Sequence, residues 1–391
     1  MKLVSKVAIG LMSGTSCDGV DAALIETDGE RIFSKGPYCF VPYEISEQDM
    51  LKSAMRKVAS VCDHDQRLEI ASSVEGLVRE KHRFAVEELL KKAGRRADQI
   101  DVVGFHGQTL FHEPDASFTL QVGDGEKLST ELEIPVVYDF RSKDMEYGGQ
   151  GAPMVPVYHH ALVHSLVSEG KLSLPVAVVN IGGVANVTYV GGAGNETGLI
   201  ANNRQCLPDM LAFDTGPGNA LVNDWVEAHT GELMDEGGRY AASGIADDKI
   251  IRTFLNEAYF KSLPPKSLDR DQFKVPNLEH LSLEDGAATL TEITAQTIAM
   301  SKAFMDATPK HWIIVGGGAY NKELMRRLSC AVARDLTVSE NLGWQSEAME
   351  AEAFGFLAVR HLSDLPFSYP RTTGVSKPVS GGVLSGETGL I

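Results

Sequence analysis

The chain has 391 residues, enough for roughly two or three domains with sizeable cores. Because 43% of the residues are hydrophobic and 23% are charged, the chain is not intrinsically disordered. Its formal charge of −17 argues against a general nucleic-acid-binding surface and against a surface that binds anionic membranes. The five cysteines, at positions 17, 39, 62, 206 and 330, form no CxxC pair, so we expect no disulfide framework, no zinc site and a reducing cytoplasmic location. No apolar run reaches about eighteen residues, so no membrane-spanning helix is expected.

Two segments, residues 7–25 and 176–190, share one pattern that predicts a β-hairpin: an apolar run, a tight polar turn with glycine, and a second apolar run. Helical and strand patterns alternate after each hairpin. The predicted helices are 67–92, stopped by Gly94, then 219–229, 289–305, a helix from the cap Asn321 to about 333, and 346–361; the predicted strands are 101–105, 134–140 and 312–315.

This alternation predicts an α/β protein with some antiparallel hairpins. A proline- and glycine-rich stretch at 148–156 suggests a boundary between two domains. We therefore expect an N-terminal lobe over residues 1–147, completed by the tail 363–391, and a C-terminal lobe over residues 148–362.

Three glycine-rich loops could carry chemistry. In residues 14–19, backbone amides, hydroxyls and the Asp18 carboxylate can surround a terminal phosphate and the water shell of magnesium, although no GxxxxGK[ST] motif occurs. In residues 214–219, Asp214 either caps the turn or acts as a general base in a partly dry cleft. In residues 315–321, three glycines either serve packing or let adenosine lie on bare backbone. Together the three loops indicate a nucleotide clamped between lobes.

Residues 106–151 form the most polar segment, next to predicted buried strands. Its side chains suit recognition of hydroxyls, amides and carboxylates, and Arg141 can hold a carboxylate with two hydrogen bonds. We interpret His106, Asp139 and Arg141 as functional, and His112 and the pair His159-His160 as ordinary satisfied histidines. A metallohydrolase or a serine hydrolase is not supported, because neither HExxH nor GxSxG occurs.

Seven motifs, taken together, closely resemble the anhydro-N-acetylmuramic acid kinase family. They occur in family order, and the resemblance covers the chain from residue 10 to about residue 360. The motifs are GLMSGTSCDGVD at 10–21, HGQT at 106–109, PVVYDFR at 135–141, GGQGAPMVP at 148–156, NIGGVANVT at 180–188, FDTGPGN at 213–219 and GGGAYN at 316–321. The resemblance implies the two-lobed actin-like ATPase fold of sugar kinases, Hsp70 and actin, an α/β fold with the nucleotide in the interlobe cleft.

The resemblance also implies a reaction. A member of this family opens 1,6-anhydro-N-acetylmuramic acid with water while phosphorylating it to N-acetylmuramic acid 6-phosphate, in peptidoglycan recycling and amino-sugar metabolism. The implied cofactors are ATP and Mg²⁺. The implied partner is the anhydro amino sugar, with no nucleic acid and no membrane, and a homodimer is the candidate assembly.

Site residues are carried over by motif. Asp214 would be the base that faces water, and Glu350 a second catalytic acid. Asp18 would place magnesium through water. The residues expected to bind the triphosphate are Gly14, Thr15, Ser16, Cys17, Asp18, Gly19, Val20 and Asp21; those for the adenosine side are Gly316, Gly317 and Gly318; those for the sugar are His106, Gln108, Asp139, Arg141, Gln150, Asn180 and Asn186.

Two positions depart from the family pattern. Asp269 stands where relatives generally have glycine in a KxTGRE-like stretch, although Lys266 and Arg270 keep its cationic character. Cys17 replaces the more usual leucine or methionine, and we interpret it as a small packing residue rather than a reactive thiol.

Two other functions compete with this hypothesis. A levoglucosan-type kinase would open an anhydro sugar that lacks the lactyl and acetamido groups. A non-enzymatic ATP-switched protein of the actin or Hsp70 type would hydrolyse ATP slowly without a sugar.

Overall fold

The computed structural model describes residues 3–192, 209–268, 273 and 277–386. Cys206, Asp269 and Arg270, discussed above, lie outside this part of the chain. The chain divides into two compact units, Met1–Ser165 with Glu347–Ile391, and Leu166–Ser346. Residues 148–165 and 347–362 therefore belong to the first unit, whereas we expected them in the C-terminal lobe.

The first unit is built on one mixed sheet. Its strands are β1 (Lys6–Ser13), β2 (Gly19–Thr27), β3 (Ile32–Pro42), β4 (Val102–Glu113), β5 (Phe118–Val122), β6 (Val136–Tyr138) and β12 (Val383–Leu384). Within the described residues the seven strands are ordered β12-β6-β4-β1-β2-β3, with β5 beside β4. The antiparallel pair β1 and β2 confirms the first predicted hairpin. Strands β1, β4 and β6 run parallel, so their carboxyl ends meet at one edge.

Helices cover this sheet. They are α1 (Ile45–Ser60), α2 (His64–Ala93), α3 (Gly125–Leu132), α4 (Ser142–Glu146) and α12 (Met349–Leu362), while α5 (Pro156–Ser168) crosses the unit boundary. Helix α2 begins at Asp63, whose carboxylate accepts a hydrogen bond from the Gln66 N–H, and ends at Gly94 in the left-handed conformation with φ 63°. The predicted helix and its glycine stop are confirmed.

Helix α12 lies directly on strands β1 and β4, which explains why it belongs to the first unit. A Cβ atom at Gly10 would lie 1.7 Å from the Ala351 carbonyl oxygen, and one at Gly104 would lie 2.1 Å from the Phe354 carbonyl oxygen. Only glycine allows the helix and strand backbones to approach this closely. The tail returns to the same sheet, because β12 pairs antiparallel with β6.

The second unit repeats the strand arrangement of the first. Its strands are β7 (Val176–Ile181), β8 (Val184–Val190), β9 (Met210–Pro217), β10 (His311–Val315) and β11 (Leu336–Val338). Their order in the described residues is β11-β10-β7-β8-β9. The antiparallel pair β7 and β8 confirms the second hairpin, and β10 runs parallel to β7 and β11.

The helices of the second unit are α6 (Ala220–Thr230), α7 (Arg239–Ser243), α8 (Asp248–Leu255), α9 (Ala258–Lys261), α10 (Leu283–Met300) and α11 (Lys322–Val332). Asn321 caps α11 as predicted, because its side chain accepts a hydrogen bond from the Leu324 N–H. The predicted helix 289–305 ends earlier, since a 3₁₀ turn at Ser301–Phe304 follows α10.

Both units thus contain an antiparallel three-stranded meander followed by two parallel strands. The α/β class is confirmed, and the repeated strand order is that of the two-lobed actin-like fold that the resemblance implies. In each sheet the hairpin turn lies at the same edge as the ends of the parallel strands. None of the helices in the described ranges is long and apolar enough to cross a membrane.

We predict that Gly10→Ala destabilises the first unit, because the new methyl group meets the backbone of α12. Overpacking of this kind costs about 1–3 kcal/mol and occasionally more. Gly76→Ala is the matched control, since no atom lies within 4 Å of the added methyl on α2 and alanine favours the helix by about 0.5–1 kcal/mol. Thermal unfolding of the two variants measures the difference. Equal stability of both variants would contradict the assigned contact.

Candidate active site

The turn between β1 and β2 is ordered by its own hydrogen bonds. The Cys17 N–H donates to the Gly14 carbonyl at 3.1 Å, and Cys17 adopts a φ of 57°. The Asp18 carboxylate accepts from the Ser16 hydroxyl at 2.6 Å and from the Gly19 N–H at 3.1 Å. Thr15, Ser16 and Asp18 are exposed, whereas Cys17 is fully buried, as a packing residue should be. The loop therefore presents hydroxyl and carboxylate groups to solvent.

Gln108 supports this turn from the neighbouring strand β4. Its side-chain amide donates to the Gly14 carbonyl at 2.9 Å, and its side-chain oxygen accepts from the Ser13 hydroxyl at 2.6 Å. Gln108 is completely buried. Its side chain holds the turn in place, so contact with a sugar stays a prediction for this residue.

The glycines of these loops differ in what surrounds them. A Cβ atom at Gly14 would have only the Ser16 hydroxyl within 4 Å, at 3.7 Å, and one at Gly317 would have nothing. In contrast, a Cβ atom at Gly316 or Gly318 would lie 2.4 Å from Asn180 or Ile181, and Gly316 has a φ of 81°. Gly316 and Gly318 are therefore required by packing, whereas Gly14 and Gly317 leave open space that a ligand could fill.

Asp21 lies near the β1–β2 turn and is affected by three other carboxylates of the first unit. Asp21 accepts a hydrogen bond from the Tyr38 hydroxyl at 2.6 Å. Burial, together with the negative charges of Asp18, Glu350 and Glu347, raises the pKa of Asp21 to about 6 despite that bond. Excess negative charge of this kind suits a divalent cation. Within the described residues no three metal-binding side chains converge, so a magnesium ion held here would keep water ligands.

Glu350 lies in the first turn of α12. Solvent reaches its side chain, yet the surrounding protein raises the pKa of its carboxyl above the ordinary value, and the nearby charge of Arg141 opposes that rise. The carboxyl is thus biased towards accepting a proton, which is compatible with the predicted acid or base role.

Arg141, which is partly buried, contacts the buried His106. The Arg141 guanidinium donates to His106 Nε2 from Nε at 3.1 Å and from Nη2 at 2.9 Å, and to the Gly151 carbonyl from Nη1 at 2.5 Å. The other ring nitrogen of His106 donates to the Gly107 carbonyl at 2.8 Å. Burial and the Arg141 charge hold the pKa of His106 well below its usual range, so the ring is neutral. Burial lowers the pKa of Arg141 to about 10, so the guanidinium stays charged.

The GGQG loop at residues 148–151 is held by two residues far apart in sequence. Asp144 is buried; its carboxylate accepts from the Gly151 N–H at 2.7 Å and from the Thr373 hydroxyl at 2.6 Å. The Gln150 N–H donates to the Thr373 carbonyl at 2.7 Å. Sequence reasoning missed Thr373, because nothing in its neighbourhood signals a partner 229 positions away.

Asp139 has a local structural role. Its φ of 52° is in the left-handed region, and its carboxylate accepts from the Ser142 hydroxyl at 2.6 Å at the start of α4. This turn directs the chain from β6 to Arg141. A sugar contact for Asp139 stays a prediction.

Three predicted residues of the second unit form a row across its sheet. Asn180 on β7 pairs with Asn186 on β8, and Asn186 pairs with Asp214 on β9. Residues directly opposite on neighbouring strands project from the same face. The pairing therefore brings two amides and one carboxylate together, which the sequence spacing alone could not show.

The Asp214 carboxyl is well placed to act as a base. One oxygen accepts a hydrogen bond from the Leu268 N–H at 2.7 Å, and the other accepts none from any residue that the structure describes. Two hydrogen bonds hold the backbone of Asp214. The Asp214 N–H donates to the Lys266 carbonyl at 3.0 Å, and the Asp214 carbonyl accepts from the Tyr259 hydroxyl at 2.6 Å. Burial raises the pKa of Asp214 to about 7, against the lowering effect of the Leu268 N–H. A carboxyl with this pKa exchanges protons readily at neutral pH.

We predict that Asp214→Asn is more stable than the wild type above pH 7. The folded-state pKa of about 7 exceeds the ordinary value of 3.8, so folding favours the protonated carboxyl and the wild type loses stability as the pH rises from about 4 to 7. Asparagine avoids this loss and can still accept the Leu268 hydrogen bond. Unfolding midpoints at pH 5 and pH 8 should show a larger advantage at pH 8. A difference in unfolding midpoint that does not grow with pH would contradict the conclusion that the ionised Asp214 carboxylate is buried. Asp49→Asn, at an exposed position of α1, is the control.

Solved structures align over most of the chain at low similarity. Component A of (R)-2-hydroxyglutaryl-CoA dehydratase from Acidaminococcus fermentans aligns with 90% of this chain and 99% of its own, with a TM-score of 0.43 and 11% identity. The ROK hexokinase from Thermus thermophilus aligns with 90% and 99%, with a TM-score of 0.35 and 15% identity.

Sequence comparison gives a much closer match. A sequence model of the family described as anhydro-N-acetylmuramic acid kinase matches residues 6–386. The proteins of that name from Nitrobacter winogradskyi and Bradyrhizobium diazoefficiens are each 45% identical over 379 residues, covering 97% of this chain and 99% and 98% of theirs. The one from Rhodopseudomonas palustris strain HaA2 is 46% identical over 380 residues, covering 97% and 98%. These matches give no support to a levoglucosan-type kinase or a non-enzymatic ATP-switched protein. The chain belongs to the anhydro-N-acetylmuramic acid kinase family and is a kinase.

Proposed function

We propose that the protein converts 1,6-anhydro-N-acetylmuramic acid, ATP and water to N-acetylmuramic acid 6-phosphate and ADP, with release of one proton. The substrate is the one named in its relatives. The observation that carries the proposal is the Asp214 carboxyl, with one oxygen on the Leu268 N–H and the other without a protein partner among the described residues.

The chemistry of an anhydro sugar requires a base that acts on water. The 6-oxygen is bonded to the anomeric carbon and has no proton to lose. Water therefore attacks the anomeric carbon, the bond from that carbon to the 6-oxygen breaks, and the freed 6-oxygen takes the γ-phosphoryl group from ATP. Asp214 accepts the proton of the attacking water and later returns it to solvent.

Phosphoryl transfer depends on positioning and on neutralising charge. We assign the triphosphate to the β1–β2 turn, where Gln108 fixes the Gly14 carbonyl and the open space beside Gly14 leaves room. Asp18 and Asp21 would hold the water shell of Mg²⁺. When bound, magnesium neutralises negative charge on the phosphates. Gly317, which is exposed and would have no atom within 4 Å of an added Cβ, is assigned to the adenosine side.

In the first unit we assign sugar-binding groups to Arg141 and the GGQG loop. In the second unit, considered by itself, we assign them to the row of Asn180, Asn186 and Asp214. Three of the five N–H groups of Arg141 are engaged by His106 and Gly151, which leaves one on each terminal nitrogen for a carboxylate such as the lactyl group. Glu350 is proposed as a second acid of the reaction. Because ATP is supplied in the cytoplasm, we propose that the reaction takes place there, in the recycling of cell-wall sugars.

The reaction is tested with water labelled with heavy oxygen. We predict one labelled oxygen at the anomeric position of the phosphosugar and none in its phosphate, because water attacks carbon. Asp214→Asn should lower kcat by about 10²–10⁴-fold, the usual contribution of a general base. Mass spectrometry of the product and steady-state kinetics measure both effects.

Levoglucosan, which lacks the lactyl and acetamido groups, is the control substrate, and ATP without sugar is the control for idle hydrolysis. An unlabelled anomeric position, or near-normal kcat in Asp214→Asn, would contradict the proposed mechanism. Faster turnover of levoglucosan would contradict the proposed substrate.

We predict that Asp18→Ala mainly lowers kcat, because loss of its carboxylate weakens the placement of the magnesium ion and its charge neutralisation in the transition state. A higher magnesium concentration should be needed for half-maximal rate. Asp49→Ala removes an exposed carboxylate on α1 and should leave both values unchanged. The measurement is kcat as a function of magnesium concentration in the two variants. A wild-type dependence on magnesium in Asp18→Ala would refute the role of Asp18 in placing the ion.

A further inference from the structure

Lys266 is a buried lysine that pairs with no acidic side chain in the described part of the chain. Only 8% of the residue is exposed, and no carboxylate within the described ranges pairs with its ammonium. Burial lowers the pKa of Lys266 to about 8. An unpaired buried charge is costly unless other groups replace its hydration, so the position calls for a physical explanation.

An aromatic cage surrounds the ammonium. The Nζ atom lies 4.6 Å from the centroid of the Tyr259 ring, 4.5 Å from that of Phe304 and 5.5 Å from that of Phe213. Nζ also donates a hydrogen bond to the Tyr259 carbonyl at 2.9 Å. Ring faces attract cations more strongly when water is excluded, so the cage compensates for part of the lost hydration.

Lys266 contacts β9 in two places, with its ammonium on one face and its backbone carbonyl along the strand edge. Side chains alternate along a strand, so Phe213 and Asp214 point to opposite faces. The Lys266 ammonium packs against the Phe213 ring, whereas the Lys266 carbonyl accepts from the Asp214 N–H at 3.0 Å. Two residues further along, the Leu268 N–H donates to the Asp214 carboxylate. The caged side chain thus fixes the segment whose backbone holds the catalytic carboxylate.

We propose that Lys266 is a positioning residue, whose caged ammonium anchors the 266–268 backbone so that the Leu268 N–H stays on the Asp214 carboxylate. This inference rests on the proposed function, because it assumes that Asp214 is the base.

The anchor matters for the chemistry because the Leu268 hydrogen bond favours the ionised form of Asp214. Without that bond the base would be protonated up to a higher pH. Among the described residues, the other titratable groups at this site are the Tyr259 hydroxyl, which donates to the Asp214 carbonyl, and Lys266 itself. Asn186 on β8 and Thr297 on α10, which adjoin this part of β9, carry no charge.

The test compares Lys266→Met with Lys266→Arg. Methionine keeps an unbranched apolar stem against the rings but has no charge, whereas arginine keeps the cation. In Lys266→Met we expect the acidic limb of the pH profile of kcat to shift to higher pH by about one unit. The value of kcat should be about tenfold lower below pH 7 and should recover near pH 9, with little change in the KM for ATP. Lys266→Arg should keep the limb close to that of the wild type.

A lower unfolding midpoint with an unmoved limb, or an equal loss of kcat at every pH, would overturn the proposal, because a merely structural lysine would give those results. If Lys266→Met does not fold, Phe304→Leu removes one wall of the cage and should move the limb in the same direction by less; an unmoved limb in that variant would also overturn the proposal. Full activity of Asp214→Asn would instead show that the proposed base is wrong. An inactive Asp214→Asn together with an unmoved limb in Lys266→Met would refute only the role of Lys266.

Discussion

The first unit depends on the close contact between helix α12 and the backbones of β1 and β4. Gly10 and Gly104 have no side chain where the Ala351 and Phe354 carbonyls lie, so the helix packs directly on the strands. The same strands lead into the turn at residues 14–18 and to His106 and Gln108, and the first turn of the helix carries Glu350. One packing constraint therefore sets the distance between the acidic residues and the loop assigned to phosphate.

In the second unit, the loss of water around Asp214 is the main cause of its raised pKa. Burial raises the pKa of its carboxyl, while one backbone N–H limits that rise, and the result is a group that titrates near neutrality. The strand register adds two amides beside it. A buried ionised carboxylate works against folding, so the base role that we propose for Asp214 would be a trade of stability for reactivity.

Sequence patterns predicted the parts of the fold that depend on local chemistry. Preferences that act within a few residues explain these successes. Turn preferences give both hairpins, the left-handed conformation of glycine ends α2 at Gly94, and a capping side chain begins α11 at Asn321. Strand β3 was missed because it is a half-exposed strand at the sheet edge, with glycine, proline and charged residues among its apolar ones. The motifs singled out Asp214 and the GGQG loop, but their hydrogen-bond partners Leu268 and Thr373 could not be found from the sequence. The Leu268 contact forms through a backbone N–H, and Thr373 lies far along the chain from the loop that it holds.

The link from Asp144 to Thr373 has a consequence for how the protein is made. Two chain positions 229 residues apart must meet before the GGQG loop has all its hydrogen bonds. Because chains emerge from the ribosome in order and fold as they emerge, every residue of the second unit is synthesised before that meeting can occur. A nascent chain that has not yet reached Thr373 therefore lacks a finished GGQG loop, so the part of the first unit that we propose to bind the sugar is completed only near the end of its translation.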